Sequence, residues 1–188
     1  MHMYFQLPTL FNIFVCLSFP MVRSMRLLMD DEDLYESAIH IEDLQLQELE
    51  IHLLNPNLNN TTGFNKFCVT FANTLTTLKV TVLDCISWHS IEVIGKYCSE
   101  LRLFHIEIWD RVIMDVQELD EERHFEKLQD LKVKCEDYIE PLPPSVMKYF
   151  LKCDSSLKVL QYASHLSWLN DENFQEIWSV PTLQRYHF

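Results

Sequence analysis

Residues 75–101 carry the clearest local order in the chain: L-T-T-L-K-V-T-V-L-D-C-I-S-W-H-S-I-E-V-I-G-K-Y-C-S-E-L. Leu75, Leu78 and Val80 are separated by polar residues, which predicts a short strand with one apolar side. Asp84 and Ser87 suit a turn. Ser90 is placed to cap a helix, and Ile91 and Ile94 share one helical face. Cys98 follows, and Leu101, Phe104 and Ile106 open the same pattern again. The stretch therefore predicts a strand, a turn, a short helix and a second strand.

The six-residue pattern apolar-x-x-apolar-x-apolar recurs along the chain. It occurs at Val22-Met25-Leu27, Leu46-Leu49-Ile51, Leu75-Leu78-Val80, Leu101-Phe104-Ile106, Leu128-Leu131-Val133, Leu157-Leu160-Tyr162 and Leu183-Tyr186-Phe188. The first positions are 24, 29, 26, 27, 29 and 26 residues apart. The approach repeats too: Phe19-Pro20-Met21-Val22 parallels Val180-Pro181-Thr182-Leu183. A helical domain with leucines at helical spacing is the competing reading, but near-constant spacing favours a stacked repeat. The expected fold is an α/β solenoid with about seven short parallel strands on its concave face and helices outside.

Residues 75–101 resemble the cysteine-containing leucine-rich repeat of the F-box/leucine-rich-repeat proteins. That repeat is about 26 residues long, with apolar residues at its first, fourth, sixth, twelfth, seventeenth and twentieth places. Here those places hold Leu75, Leu78, Val80, Ile86, Ile91 and Ile94, and Cys98 stands where the family has a cysteine ahead of the next repeat. The family's earlier cysteine place holds Leu83, with Cys85 two residues late. Leu169-Asn170-Asp171-Glu172-Asn173-Phe174 resembles the family's aspartate-containing helix start. The resemblance implies a leucine-rich-repeat solenoid that recognises substrates for a cullin–F-box ubiquitin ligase and carries out no catalysis. It covers one repeat closely and the others by periodicity alone.

Composition narrows the function classes. The 188 residues are 48% hydrophobic, enough for a core, and contain two glycines, Gly63 and Gly95. So few glycines disfavour phosphate-cradling loops and a dinucleotide site. A formal net charge of −13 disfavours nucleic acid and anionic membranes as partners. The six cysteines, at 16, 68, 85, 98, 135 and 153, form no C-x-x-C. Cys98 and Cys153 precede their next strand leucines by three and four residues, a position suited to a thiol packed between coils. Reduced cysteines and an intracellular location, cytoplasm or nucleus, are therefore expected.

Residues 1–18 admit three readings beside the repeats of 19–188. They fit the outer helix of a first repeat whose strand lies ahead of Met1, with Leu10, Ile13, Phe14 and Leu17 on one face. They fit a signal segment, although no Lys or Arg precedes the apolar run and Pro8 and Asn12 interrupt it. They also fit a degenerate F-box, through Leu7-Pro8, Ile13-Phe14 and Leu17-Ser18, with L-P and I-F two residues too close. Adaptor binding is expected only if an F-box is restored. If the segment is a signal, the protein is a secreted or surface leucine-rich-repeat binder, and the sequons at Asn59 and Asn60 become glycan sites. The solenoid ends are expected to be covered by a partner or by further chain.

Other segments have plain structural roles. Asp30-Asp31-Glu32-Asp33 precedes a helix with Leu34, Ala38 and Ile39 or Ile41 on its buried side. Residues 55–63 form a turn-rich loop ahead of a helix face of Phe64, Phe67, Cys68 and Phe71. Trp109 and Ile113 are expected to pack after their strand. Residues 115–126 form an acidic solvated face, and 140–145 a stiff proline-rich connection to a helix over 146–152.

No catalytic set stands out. Histidines occur at 2, 40, 52, 89, 105, 124, 165 and 187, without H-E-x-x-H or G-x-S-x-G. Cys98 with His105 is a conceivable pair, but the repeat position already accounts for Cys98. Trp88, Trp109, Trp168 and Trp178 could line a pocket, but packing explains them more simply. The reading is of a non-enzyme with no cofactor and no metal, whose working part is a surface. The polar strand positions should line the concave face and meet a protein partner. The candidates are Glu48, Glu50, Thr77, Lys79, His105, Glu107, Asp130, Lys132, Gln161 and Arg185.

Overall fold

The computed structural model describes residues 2–5, 21–29, 45–53, 62–83, 85–109, 111–113, 124–135, 149–150, 156–163 and 185–187. Its centre is a parallel sheet of strands β2 (Ser24–Met29), β3 (Glu48–Leu53), β4 (Thr77–Val82), β6 (Leu103–Ile108), β8 (Asp130–Cys135) and β9 (Val159–Ala163). Shorter strands β1 (His2–Phe5) and β10 (Arg185–His187) extend it at either edge, making eight strands in chain order. Helix α1 (Thr62–Thr70) precedes β4, and β5 (Cys85–Ser87) leads into α2 (Trp88–Tyr97). Strand β7 (Arg111–Ile113) pairs in parallel with β5 as a second, two-stranded sheet. The molecule is thus α/β, with every strand pairing parallel.

The alternation in the sequence builds this sheet directly. Leu49, Leu78, Phe104, Leu131 and Leu160 stand in one cross-strand row, and Ile51, Val80, Ile106, Val133 and Tyr162 in another. Across the first six apolar triplets no residue exceeds 5% exposure. The first residue of each of these six triplets lies just before its strand, so the chain enters the sheet anchored in the core.

One backbone device recurs at these entrances. A single carbonyl accepts two successive N–H groups from the neighbouring coil. Arg23 serves Gln47 and Glu48, Gln47 serves Thr76 and Thr77, and Thr76 serves Arg102 and Leu103. Arg102 serves Gln129 and Asp130, and Gln129 serves Lys158 and Val159. All ten distances lie between 2.8 and 3.1 Å. Parallel neighbours need long crossovers, and these bonds satisfy backbone polar groups where each crossover ends.

The apolar sides of the strands and the inner faces of the helices join one core. As expected, Phe64, Phe67, Cys68 and Phe71 are fully buried on and just after α1, with Phe67 and Phe71 edge to face at 5.2 Å. Ile91, Ile94 and Gly95 line the buried side of α2. Phe104 stacks on Phe125 at 5.6 Å, and Trp88 meets Tyr149 edge-on at 4.8 Å. Phe125 holds a left-handed backbone (φ 55°), and its N–H donates to the Gly95 carbonyl at 3.0 Å.

Several expectations are corrected. The helix cap is Ser87, whose Oγ accepts from the His89 N–H at 3.2 Å; Ser90 is buried inside the helix. Both serines precede apolar residues, and Trp88, itself buried, moves the apolar face one turn earlier. Residues 85–87, expected in a turn, form a short strand. In the segment 1–18 that admitted three readings, none with a strand inside it, residues 2–5 form a strand that places Met3 opposite Met25 and Phe5 opposite Leu27. Trp109 does not pack inside; it is 49% exposed, with the Lys134 ammonium 6.0 Å from its ring centroid.

Within the acidic stretch 115–126, His124 and Phe125 are buried and Glu126 is exposed. The three readings of residues 6–18, the acidic turn at 30–33, the helix over 34–41, the sequon loop with Asn59 and Asn60, the run 115–123 and the proline-rich connection lie outside the described residues. So do Cys16, Cys153, Trp168, Trp178 and the 169–174 segment.

Candidate protein-binding face

Strand alternation that buries one row of side chains must present the next row on the opposite side. The candidates therefore share one open sheet face. Glu48, Thr77, Leu103, Asp130, Val159 and Arg185 form the first row across the strands. Arg26, Glu50, Lys79, His105, Lys132 and Gln161 form the second. His52, Thr81, Glu107 and Lys134 belong to the third. Glu48, Lys79 and Arg185 are exposed, and the other seven candidates are half-buried. The structure thus brings all ten onto one surface but divides them among three rows, with Glu107 one row away from Lys79 and Lys132.

Neighbouring strands stand about 4.8 Å apart, so cross-strand charges couple. Arg26 donates to Glu50 Oε1 at 2.9 Å and to His52 Nε2 at 3.0 Å, tying β2 to β3. Lys134 Nζ donates to Glu107 Oε1 at 2.6 Å, directly across β8 and β6. His105 reaches diagonally to Asp130, with Nε2 3.2 Å from Oδ1. An ionised carboxylate only accepts, so Nε2 carries the proton of that bond. Burial pushes the His105 pKa below its usual value, Lys79 and Lys132 push the same way, and Asp130 opposes them. Lys79 and Lys132 have no ion-pair partner among the described residues.

The face differs in charge from the chain. Its strands present Arg26, Lys79, Lys132, Lys134 and Arg185 against Glu48, Glu50, Glu107 and Asp130, whereas the chain holds 28 acidic and 15 basic residues. Acid excess is therefore carried elsewhere, and the open face is close to balanced.

The remaining candidates for chemistry separate. Cys98 Sγ donates to the Cys68 carbonyl at 3.8 Å inside the core, on the opposite side of the sheet from His105, so the two form no pair. Burial raises the Cys68 thiol well above its usual pKa, Cys98 to about 12 and Cys135 to about 11, which leaves all three as neutral packing groups. Trp88 is buried, with Nε1 donating to Glu92 Oε1 at 3.0 Å. Sequence reasoning missed His124, which packs against the Tyr149 ring at 4.9 Å and is 6% exposed. Its setting in an acidic stretch hid its burial, and only the aromatic residue beside it hinted otherwise. Among the described residues no group of three or more His, Cys, Asp or Glu is arranged to hold a metal. No described helix is long and apolar enough to cross a membrane.

No protein-family model matches the chain, and no curated protein matches it.

Proposed function

We propose that the chain is a leucine-rich-repeat solenoid that recognises a protein partner on the open, concave face of its sheet, without catalysis. The observation that carries this reading is the in-register polar face: ten candidate side chains on parallel strands, backed by a continuous apolar core. A regular sheet holds side chains at fixed spacing with little backbone freedom to lose, which favours recognition of a shaped partner. The mixed charge of the rows suits a protein surface better than a polyanion.

The narrower role, substrate recognition for a cullin–F-box ubiquitin ligase inside the cell, rests on the likeness of residues 75–101 to that family's repeat. The full burial of Cys98, whose Sγ donates to the Cys68 carbonyl of α1, supports that likeness.

The test is photo-cross-linking in cells, with a photoreactive residue at Lys79 or Gln161 on the open face and at exposed Tyr97 on α2 as control. A discrete partner captured from the first two sites and not from Tyr97 is expected, with its ubiquitylation reduced when the chain is depleted. Capture from Tyr97 alone would move recognition to the helical side. A captured partner whose ubiquitylation ignores the chain would remove the ligase role and leave the binding role.

A further inference from the structure

The charges on the open face are unevenly matched. Arg26 is held by Glu50 at 2.9 Å, and Lys134 by Glu107 at 2.6 Å. Lys79, His105 and Lys132 follow Glu50 in its row, directly opposite one another on β4, β6 and β8, and the Glu107–Lys134 pair lies one row further along β6 and β8. With neighbouring strands about 4.8 Å apart, the two lysine stems flank one imidazole closely enough for both ammonium groups to reach a group above it. Two acids face this row: Asp130, which bonds His105 Nε2 at 3.2 Å, and Glu50, directly opposite Lys79 and held by Arg26. Glu107, two residues along β6, is occupied by Lys134, and Thr77 and Thr81 beside Lys79 are uncharged. The row is therefore a local cationic site in a chain of net charge −13.

We propose that Lys79, His105 and Lys132 seat a carboxylate-bearing segment of the partner protein, and that His105 takes up one proton from solvent as the segment docks. The inference rests on the reading of the open face as the recognition surface. Charge complementarity argues for the occupant: two lysines without acidic partners among the described residues attract anions, while Glu50 at one end of the row and Glu107 two residues beyond His105 limit how far an anionic run can extend. A nucleic-acid backbone would meet those acids and the chain's general negative charge, whereas one or two Glu or Asp side chains need only the row.

The proton follows from linkage. In the free protein partial burial, helped by Lys132 and Lys79 and opposed by Asp130, lowers the His105 pKa and favours its neutral form. Its Nε2–H is spent on Asp130, so protonation adds a donor at Nδ1. An incoming carboxylate favours the charged imidazole and raises its pKa. A site whose pKa rises on binding makes the complex tighter as pH falls, with the gain complete once the pH is below the free-state value.

The experiment titrates the full chain with three probes at low salt: an extended peptide of alternating Ser and Glu, its Ser-Gln counterpart, and oligothymidylate. The Glu peptide should bind, and the other two should bind at least about tenfold more weakly. Lowering the pH from about 7.5 to about 6, where Glu remains ionised, should tighten the Glu peptide several-fold. Calorimetry in buffers of different ionisation enthalpy should register proton uptake. His105→Gln should weaken the Glu peptide and bind it no more tightly at pH 6 than at pH 7.5, the lysines alone holding what binding remains. Lys79→Glu and Lys132→Glu should each weaken binding about tenfold or more, with Lys79→Gln intermediate, and all should melt with the parent chain. Asp130→Asn should tighten it. Equal or tighter binding of oligothymidylate, binding indifferent to both lysine reversals, or no proton uptake would overturn the proposal. A partner captured through the open face whose binding needs Glu50 and Gln161 but none of Lys79, His105 and Lys132 would also overturn it, while leaving that face as the recognition surface.

Discussion

The two sides of strand β4 begin one residue apart and obey different rules. Leu78, Val80 and Val82 are at most 2% exposed and stand opposite the buried residues of β3 and β6. Thr77, Lys79 and Thr81 stand between them on the open side, where Lys79 is exposed. On the apolar side the same residue type recurs from strand to strand, because each layer must fill the space left by the last. On the polar side the row changes from Arg26 to Glu50, Lys79, His105, Lys132 and Gln161. Packing imposes repetition, and a face free of packing can vary. That variation is what a recognition surface requires.

The comparison can be broken first on its apolar side. Leu78→Ala should destabilise the fold by roughly 2–5 kcal/mol in chemical denaturation, because it opens a cavity between stacked layers. A loss below about 1 kcal/mol would mean that the layers collapse independently. Gly95→Ala tests how closely α2 is packed. A Cβ there would lie 2.7 Å from Phe125 Cε2 and 2.7 Å from the Tyr149 hydroxyl. Phe125 is wedged against Phe104, so the substitution should cost about 1–3 kcal/mol, outweighing the helix-propensity gain of about 1 kcal/mol.

The buried thiols sharpen the same side through pH. Their folded pKa values lie above the unfolded value, so their contribution is fully present below about pH 8.5 and is lost as the pH rises toward the folded values. For Cys98 that loss extends to about 12 and for Cys135 to about 11. The melting temperature should fall from pH 8 to pH 10 by a margin that shrinks in Cys98→Ala, compared with that variant's own value at pH 8. An unchanged margin would mean that Cys98 is solvated. The smallest effect belongs to the open face: Lys79→Ala should change stability by no more than about 0.5 kcal/mol. Equal costs at Leu78 and Lys79 would contradict the assignment of sides.

Much of this was legible in the sequence because period-two alternation, repeated at near-constant spacing, determines both side and layer. The apolar triplets and the placing of the ten polar candidates on one face follow from it, and the face of α1 follows from the helical spacing of Phe64, Phe67, Cys68 and Phe71. The cap of α2 was misplaced because Ser87 and Ser90 are both competent, and only the burial of Trp88 decides between them. Strands β5 and β7 have three residues each, too few to show a period. Strand β1 has four residues and, without a preceding turn signal, gives equally little to read. Ion-pair choice was also hidden. Glu107 pairs straight across to Lys134, whereas His105 pairs diagonally with Asp130, and rotamers decide which. The lysines left over at Lys79 and Lys132 become apparent only after those pairs are drawn.

The most direct test combines both sides in one protein. The double variant Lys79→Glu, Lys132→Glu, carrying a photoreactive residue at Gln161, is compared with its parent for thermal melting and for partner capture. The account predicts an unchanged melting temperature and loss of the captured partner. Undiminished capture by a fully folded double variant would contradict it.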